Sequence, residues 1–409
     1  MHHERAESPQ GVGRSPSSTD VHRRLPRAVV WLFAVACGLA VANVYYAQPL
    51  LDLIAQDFEM ASASVGVVVT ATQIGYGIGL LAVVPLGDRL DRRRLIVAQF
   101  GLSVLALAGV AVAPSPLIML VAMGLVGVLA VVAQVVVAYT AALANPDERG
   151  RVVGTVTSGI VIGILLARTV AGAMADVGGW RAIFVVSAGA TLIMAAVLVR
   201  ATPPDGRERP KISYPELIGS VLVLLVREPV LRIRALLALL IFTAITVLLT
   251  PMVLPLAGPP FSLSHTQIGL FGLAGAAGAL GASYAGRQAD RGHGQRTTGI
   301  GLVIMLASWI PIALLPHSLW WLVLGVVTID YGLQSVHVAN QSLIYRVRPE
   351  AQSRLTAGYM LFYSIGCASG AILSTLVYAR WGWSGVCTLG AGVSACALLF
   401  WMSTRRLAP

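Results

Sequence analysis

Four polar side chains recur at helical spacing inside one long apolar stretch: Asp330, Gln334, His337 and Gln341. Steps of four, three and four place them on one stripe of a helix. Of the chain's 18 acidic residues, Asp330 alone lies well inside an apolar run. It is about eleven residues from the nearer end, roughly 16 Å deep at 1.5 Å per residue and near the middle of a ~30 Å hydrocarbon layer. An ionised carboxylate there is costly, so it must be paired, line water, or exchange a proton. A carboxyl whose hydration changes can hold a proton in one state and release it in another, which is the chemistry of proton coupling. The structural alternative is a buried acid satisfied by a neighbouring helix. His337, two turns along the stripe, is a relay candidate or else a core histidine bonded to its neighbours.

Such a stripe needs a membrane-spanning scaffold, and the composition supplies one. The chain has 409 residues, 56% of them hydrophobic and only 11% charged. A soluble protein could not solvate that surface. Twelve apolar runs approach the ~20 residues that cross a bilayer. They fall at about 28–51, 63–87, 95–113, 117–143, 152–174, 181–200, 234–257, 267–286, 298–316, 319–345, 354–379 and 383–402. Backbone groups in hydrocarbon must be paired within their own segment, so each run is expected to be a helix. The net charge of +11 comes from arginines set between these runs, not from a soluble basic face, which argues against nucleic acid. Of 29 Lys and Arg residues, only Arg168, Arg181 and Arg380 fall outside the tail, the even-to-odd connections and the C-terminal end. The positive-inside rule then places both termini in the cytoplasm, in a multi-pass protein of the cytoplasmic membrane. The four cysteines read as small hydrophobes, and no metal or disulfide spacing appears.

The expected organisation is a disordered cytoplasmic tail over 1–27 and a six-helix half over 28–200. A cytoplasmic linker with an interfacial helix follows at 201–233, then a second half at 234–402 and a short end at 403–409. The halves repeat: under a shift of 203 residues Arg151 meets Arg354, Gly163 meets Gly366, and Gly179-Trp180 meets Gly382-Trp383. A six-plus-six repeat with a site near the midplane between halves is a transporter architecture.

Between runs two and three stands Gly87-Asp88-Arg89-Leu90-Asp91-Arg92-Arg93-Arg94, and a variant, Gly286-Arg287-Gln288-Ala289-Asp290-Arg291, recurs between runs eight and nine. With Glu148-Arg149-Gly150 and Gly179-Trp180-Arg181, this pattern resembles the major facilitator superfamily. The likeness covers residues 28–402. Through Tyr45-Tyr46-Ala47-Gln48-Pro49, Gly163 to Thr169, and His337 to Gln341, the chain is similar to the arabinose-efflux-permease-like group beside the drug:proton antiporters. Some family positions differ: Val84 and Asp91 stand for hinge glycines, Met123 for an arginine of run four, and Ala167-Arg168 for a Gly-Pro pair of run five.

The resemblance implies an all-α integral membrane protein of twelve helices in two pseudo-symmetric halves. It implies a cavity lined by helix ten and gating by Gly87, Asp88, Arg89, Asp290 and Arg291, with Asp88 meeting the start of helix eleven and Asp290 that of helix five. For Arg92 to Arg94, a role limited to fixing topology is favoured. Substrate candidates on the residues themselves are Asn43, Tyr45, Tyr46 and Gln48 of run one, Gln134 of run four, Gln334 and Gln341, and Tyr359 and Tyr363 of run eleven, with Thr72, Gln73 and Tyr76 of run two behind them. The tyrosines of run one read equally as an interfacial belt. Arg168 is either a gating group at the interface between halves or a snorkelling side chain. The expected function is secondary active transport of a small molecule, proton-coupled efflux by antiport, by a monomer with no cofactor. Symport, uniport and a non-transporting receptor stay open. No P-loop, nucleophile elbow or His-Glu-x-x-His run supports an enzyme.

Overall fold

The structure is a computed structural model and describes residues 25–145, 147–203, 213–348 and 352–407. The described residues are helical with no strand among them. The first half comprises α1 (Arg27–Asp57), α2 (Val67–Arg89), α3 (Arg92–Ala111), α4 (Pro116–Leu143), α5 (Arg149–Gly178) and α6 (Trp180–Ala201). A linker helix, Tyr214–Arg227, follows. The second half has α7 (Pro229–Ala257), α8 (His265–Gln288), α9 (Gly294–Ala313) and α10 (Leu319–Tyr345). The last helix, Gln352–Thr404, is continuous except at Gly382, where φ 60° and ψ −155° turn the chain and divide it into α11 (352–381) and α12 (383–404).

The internal repeat is visible in the backbone. Gly179, between α5 and α6, has φ 74°, and its counterpart Gly382 has φ 60°; both occupy a region that a side chain disfavours. Gly163 and Gly366 are likewise paired. A β-carbon on Gly163 would overlap the Gly38 backbone of α1, and one on Gly366 would lie 3.0 Å from Leu239 Cα of α7. Helix pairs α1/α5 and α7/α11 therefore pack backbone to backbone in the two halves, as small residues allow in lipid.

Helix starts carry recognisable signals. Asp91 accepts from the Arg94 N–H at the start of α3, and Ser264 forms a capping box with Gln267 at the start of α8. Pro229 opens α7, five residues ahead of the expected 234, so Arg234 sits inside the helix instead of marking its end. In the linker helix Leu217, Val221 and Leu224 share the buried stripe, and the Tyr214 hydroxyl donates to the Ala82 carbonyl of α2.

The basic hinge is more than a topology signal. Arg92 is buried and donates to Gly87 O at 2.8 Å, to Ala138 O of α4 at 2.9 Å and to Asp88 Oδ1 at 2.8 Å. It ties the α2–α3 turn to α4, satisfying carbonyls that the turn leaves open.

Candidate substrate and proton site

The polar stripe of α10 meets α8 at a crossing whose form the repeat explains. Under the 203 shift, Gly75 corresponds to Gly278, Thr72 to Gly275 and Gly127 to Asp330. In the first half a β-carbon on Gly127 would overlap the Thr72 carbonyl and lie 2.9 Å from Tyr76 N, so α2 and α4 touch through backbone. In the second half the equivalent contact is made by a carboxylate. Asp330 lies against Gly278, whose N–H donates to it, and a β-carbon at Gly275 would come 3.6 Å from Oδ2. Gln334 packs on the same bare patch, with its Cγ 2.7 Å from where a Gly278 β-carbon would be. Glycine at 278 is what leaves room for the acid.

Across the interface, Arg168 of α5 interacts electrostatically with Asp330. It does not snorkel. Its Nε and Nη2 donate to Gln48 Oε1 of α1 at 3.1 and 2.9 Å, and the guanidinium lies 5.6 Å from the Tyr45 ring centroid. The Tyr45 hydroxyl is 2.6 Å from that of Tyr363 on α11. Tyr363 stands edge-on to Tyr76 and to Phe242, with centroids 6.3 and 4.3 Å away. Phe242 is in turn edge-on to His337 at 5.2 Å. His337 Nδ1 is 2.9 Å from the Tyr359 hydroxyl, Tyr359 also hydrogen-bonds Asn340, and Asn340 Oδ1 accepts from Arg234 Nη1 at 3.2 Å. A polar and aromatic chain thus runs from Gln48 and Arg168 to Arg234, with both halves contributing. Gln134 joins through Tyr76, at 3.4 Å, and Gln341 continues the stripe, half-buried.

Two expected residues turn elsewhere. Asn43 accepts from Ser187 of α6 at 2.6 Å, and Tyr46 packs edge-on against Phe184. Spacing explains this: Asn43 and Tyr46 are three apart on one face of α1, whereas Tyr45 and Gln48 are three apart on the other. Asn340 and Arg234 are the polar members that the sequence reading left out, whereas Tyr45 was among its run-one candidates. Arg234, 1% exposed, is a second buried cation within a helix.

The halves are clasped at the end of the bundle that carries Asp52. His265 Nε2 meets Asp52 Oδ2 of α1 at 2.9 Å, and its Nδ1 is 3.4 Å from Asp176 of α5. Asp176 also accepts from the N–H groups of His265 and Thr266, at 3.1 and 2.9 Å. A carboxylate against a helix N-terminus is the lock expected of Asp88, but here it closes the opposite end of the molecule. Thr169 donates to Gly269 O at 3.0 Å, Thr70 of α2 donates to Ala368 O of α11 at 2.9 Å, and Thr375 of α11 donates to Ala63 O, just ahead of α2, at 3.1 Å. At the other end Asp88 is half exposed and bonded to Arg92, not docked on α11. Space is open where a β-carbon on Gly150 or Gly154 of α5 would point. Gly87 supplies a carbonyl to Arg92, and Arg89 and Arg291 are exposed. The Asp290 and Ser353 side chains lie outside the described residues.

A twelve-helix bundle in two repeated halves, meeting at polar groups near mid-depth and clasped at one end, is the form of an alternating-access carrier. Residues 30–291 and 235–409 match the Major Facilitator Superfamily. The chain is 46% identical over 383 residues to the "Uncharacterized transporter YgaY" of Escherichia coli O157:H7, covering 94% of this chain and 97% of that one. It is 22% identical to the "Probable sugar efflux transporter" of Helicobacter pylori (strain HPAG1), over 91% and 94% of the two chains. Its fold is similar to the crystal structure of a bacterial homologue of the human lysosomal transporter Spinster, with TM-score 0.79 and 15% identity over 95% and 98% of the chains. The chain belongs to the major facilitator superfamily, and it is a membrane-embedded, multi-pass transporter of a small molecule.

Proposed function

We propose that the protein exports a small polar or aromatic molecule in exchange for protons. The observation that carries this reading is Asp330, an acid at mid-depth that faces Arg168 of the opposite half. A neighbouring cation favours loss of a proton from a carboxylate, and a dry apolar setting favours its retention. Rocking the halves changes both the distance to Arg168 and the access of water, so one motion would alternate proton uptake and release. With the Asp52 end clasped, Asp330 would exchange with the Asp88 end by way of the α10 stripe, with His337 and Tyr359 as the relay. Tyr45, Tyr76, Tyr363 and Phe242 offer ring faces and hydroxyls to cargo. Efflux draws on the likeness to the probable sugar efflux transporter of Helicobacter pylori. Arg168 occupies the position where the antiporter pattern has its Gly-Pro pair, which makes that departure part of the proposed site.

The test is growth of an efflux-deficient host carrying the gene across a panel of toxic compounds and sugars, followed by proton release from acidified everted vesicles. Compounds that gain tolerance should also discharge the pH gradient. Tolerance without any proton movement would replace antiport by uniport.

Orientation has its own check. The arginine distribution supports a cytoplasmic position for the Asp88 end and both termini. Single cysteines beside Arg93 and Arg291 should react with an impermeant maleimide only in everted vesicles, and cysteines at Asp57 or Ser262 only in intact cells. The reverse pattern would invert the assignment.

Gating at the Asp88 end is also testable. When the halves close there, the Asp88 carboxylate is proposed to leave Arg92 for the α11 N-terminus, a contact of ~0.3–1 kcal/mol when exposed and more when partly buried. Asp88→Asn keeps the size and loses the charge. We expect normal membrane insertion with transport slowed roughly fivefold or more, the equivalent of ~1 kcal/mol. Asp290→Asn is expected to give a milder loss. A wild-type rate in Asp88→Asn refutes the gating role.

A further inference from the structure

Outside the central site, the α9–α12 surface near the Asp88 end holds a cleft of about 670 Å³. Arg296, Arg405 and Arg406 stand around it, and Ile300, Val303 and Ile304 form its apolar wall. Trp401 separates the two regions. Its indole rests on Gly299, where a β-carbon would lie 2.8 Å from Cζ2. Its Nε1 donates to Gln295 Oε1 at 2.9 Å, and Gln295 in turn donates to Arg405 O at 3.4 Å. The Arg405 guanidinium lies 5.6 Å from the Trp401 ring centroid. The three arginines are exposed, and among the described residues none of them has a carboxylate partner.

We infer that this cleft is a binding site for an anionic glycerophospholipid, with the phosphodiester held by Arg296, Arg405 and Arg406 and one acyl chain along Ile300, Val303 and Ile304. Three features support a lipid as occupant. First, the cations cluster at the ends of two spanning helices, which is headgroup depth, and arginine binds phosphate oxygens in a fork. Second, the apolar wall reaches Ile304, eight residues or roughly 12 Å of helix below Arg296, a depth within one leaflet's acyl layer. Third, the tryptophan is pinned at the boundary between the two, as expected at a headgroup interface. A basic pocket between helices at the membrane surface selects anionic headgroups, by about fivefold per well-placed cation. That the lipid comes from the cytoplasmic leaflet rests on the orientation proposed above; the existence of the site does not.

The full-length protein is purified in detergent and offered equal phosphatidylglycerol and phosphatidylcholine of matched chains, and bound lipid is counted by native mass spectrometry. Wild type should retain phosphatidylglycerol over phosphatidylcholine by roughly tenfold or more, and Arg405→Ala with Arg406→Ala should bring the ratio down to about twofold or less. Arg93→Ala with Arg94→Ala removes the same charge from another surface and should leave the ratio intact. Glycerol phosphate at millimolar concentration should not displace the lipid, because the apolar wall contributes to binding. A photoreactive phosphatidylglycerol gives a readout on the unmutated protein: it should label the peptide spanning 299–304 several-fold more than a photoreactive phosphatidylcholine. Equal labelling by the two lipids, equal retention in wild type, or displacement by glycerol phosphate would overturn the lipid site.

Discussion

Asp330→Asn is expected to abolish transport driven by a pH gradient while leaving exchange of substrate for substrate within about tenfold of wild type. Asparagine fills the same space against Gly278 and can still accept the Gly278 N–H, so the α8–α10 crossing survives. What disappears is the proton and the negative charge facing Arg168. Exchange needs only the occupied carrier to rock back and forth, with no net proton movement, so it should persist. Uphill transport needs a group that binds the proton in one state and frees it in the other, and the asparagine amide does neither at working pH. Arg168 cannot substitute for it, because a guanidinium keeps its proton. His337→Ala, which breaks the bond to Tyr359, should shift the pH optimum with a smaller loss of rate. Reconstituted vesicles loaded with substrate, with and without an imposed pH gradient, separate the two modes. Full uphill transport by Asp330→Asn would place the coupling group elsewhere in the protein.

Gly172→Leu is expected to stop turnover with the carrier held open at the Asp52 end. In the present conformation a β-carbon on Gly172 would overlap the His265 carbonyl oxygen and sit 2.6 Å from its carbon. Both are backbone atoms at the start of α8, fixed there by Asp176 and Asp52, so they cannot swing aside. Overpacking costs about 1–3 kcal/mol or more, and here it falls only on the clasped state. A bias of that size shifts a two-state equilibrium by roughly 5- to 150-fold. In a cysteine-free background, Tyr45→Cys should react faster with an impermeant maleimide from the Asp52 side when Gly172→Leu is present. Gly172→Ala should be intermediate. Unchanged labelling together with unchanged transport would show that the α5–α8 contact is not part of the cycle.

Much of the architecture is decided by chain chemistry alone. A backbone in hydrocarbon has no water to bond, so each long apolar run must be helical, and the positions of the arginines divide the two membrane faces. The constant 203-residue shift announced two similar halves, and it held down to the backbone angles of Gly179 and Gly382. The depth of Asp330 followed from counting residues along one helix, because helix rise is fixed. Local rules stop at the edge of each element, and that is where tertiary structure took over. Which face of α1 meets the other half separates Tyr45 and Gln48 from Asn43 and Tyr46, though all four lie within six residues. Arg234 read as a boundary because charge usually ends a span; burial against Asn340 moved it inside. The Asp52–His265–Asp176 clasp joins residues 213 and 89 positions from the histidine, so no spacing along the chain announces it. In this conformation Asp176 caps the start of α8 in the other half while Asp88 is bonded to Arg92, and the proposed cap by Asp88 would need the opposite end to close. Which end is closed is a property of how two rigid halves rock, not of any segment within them.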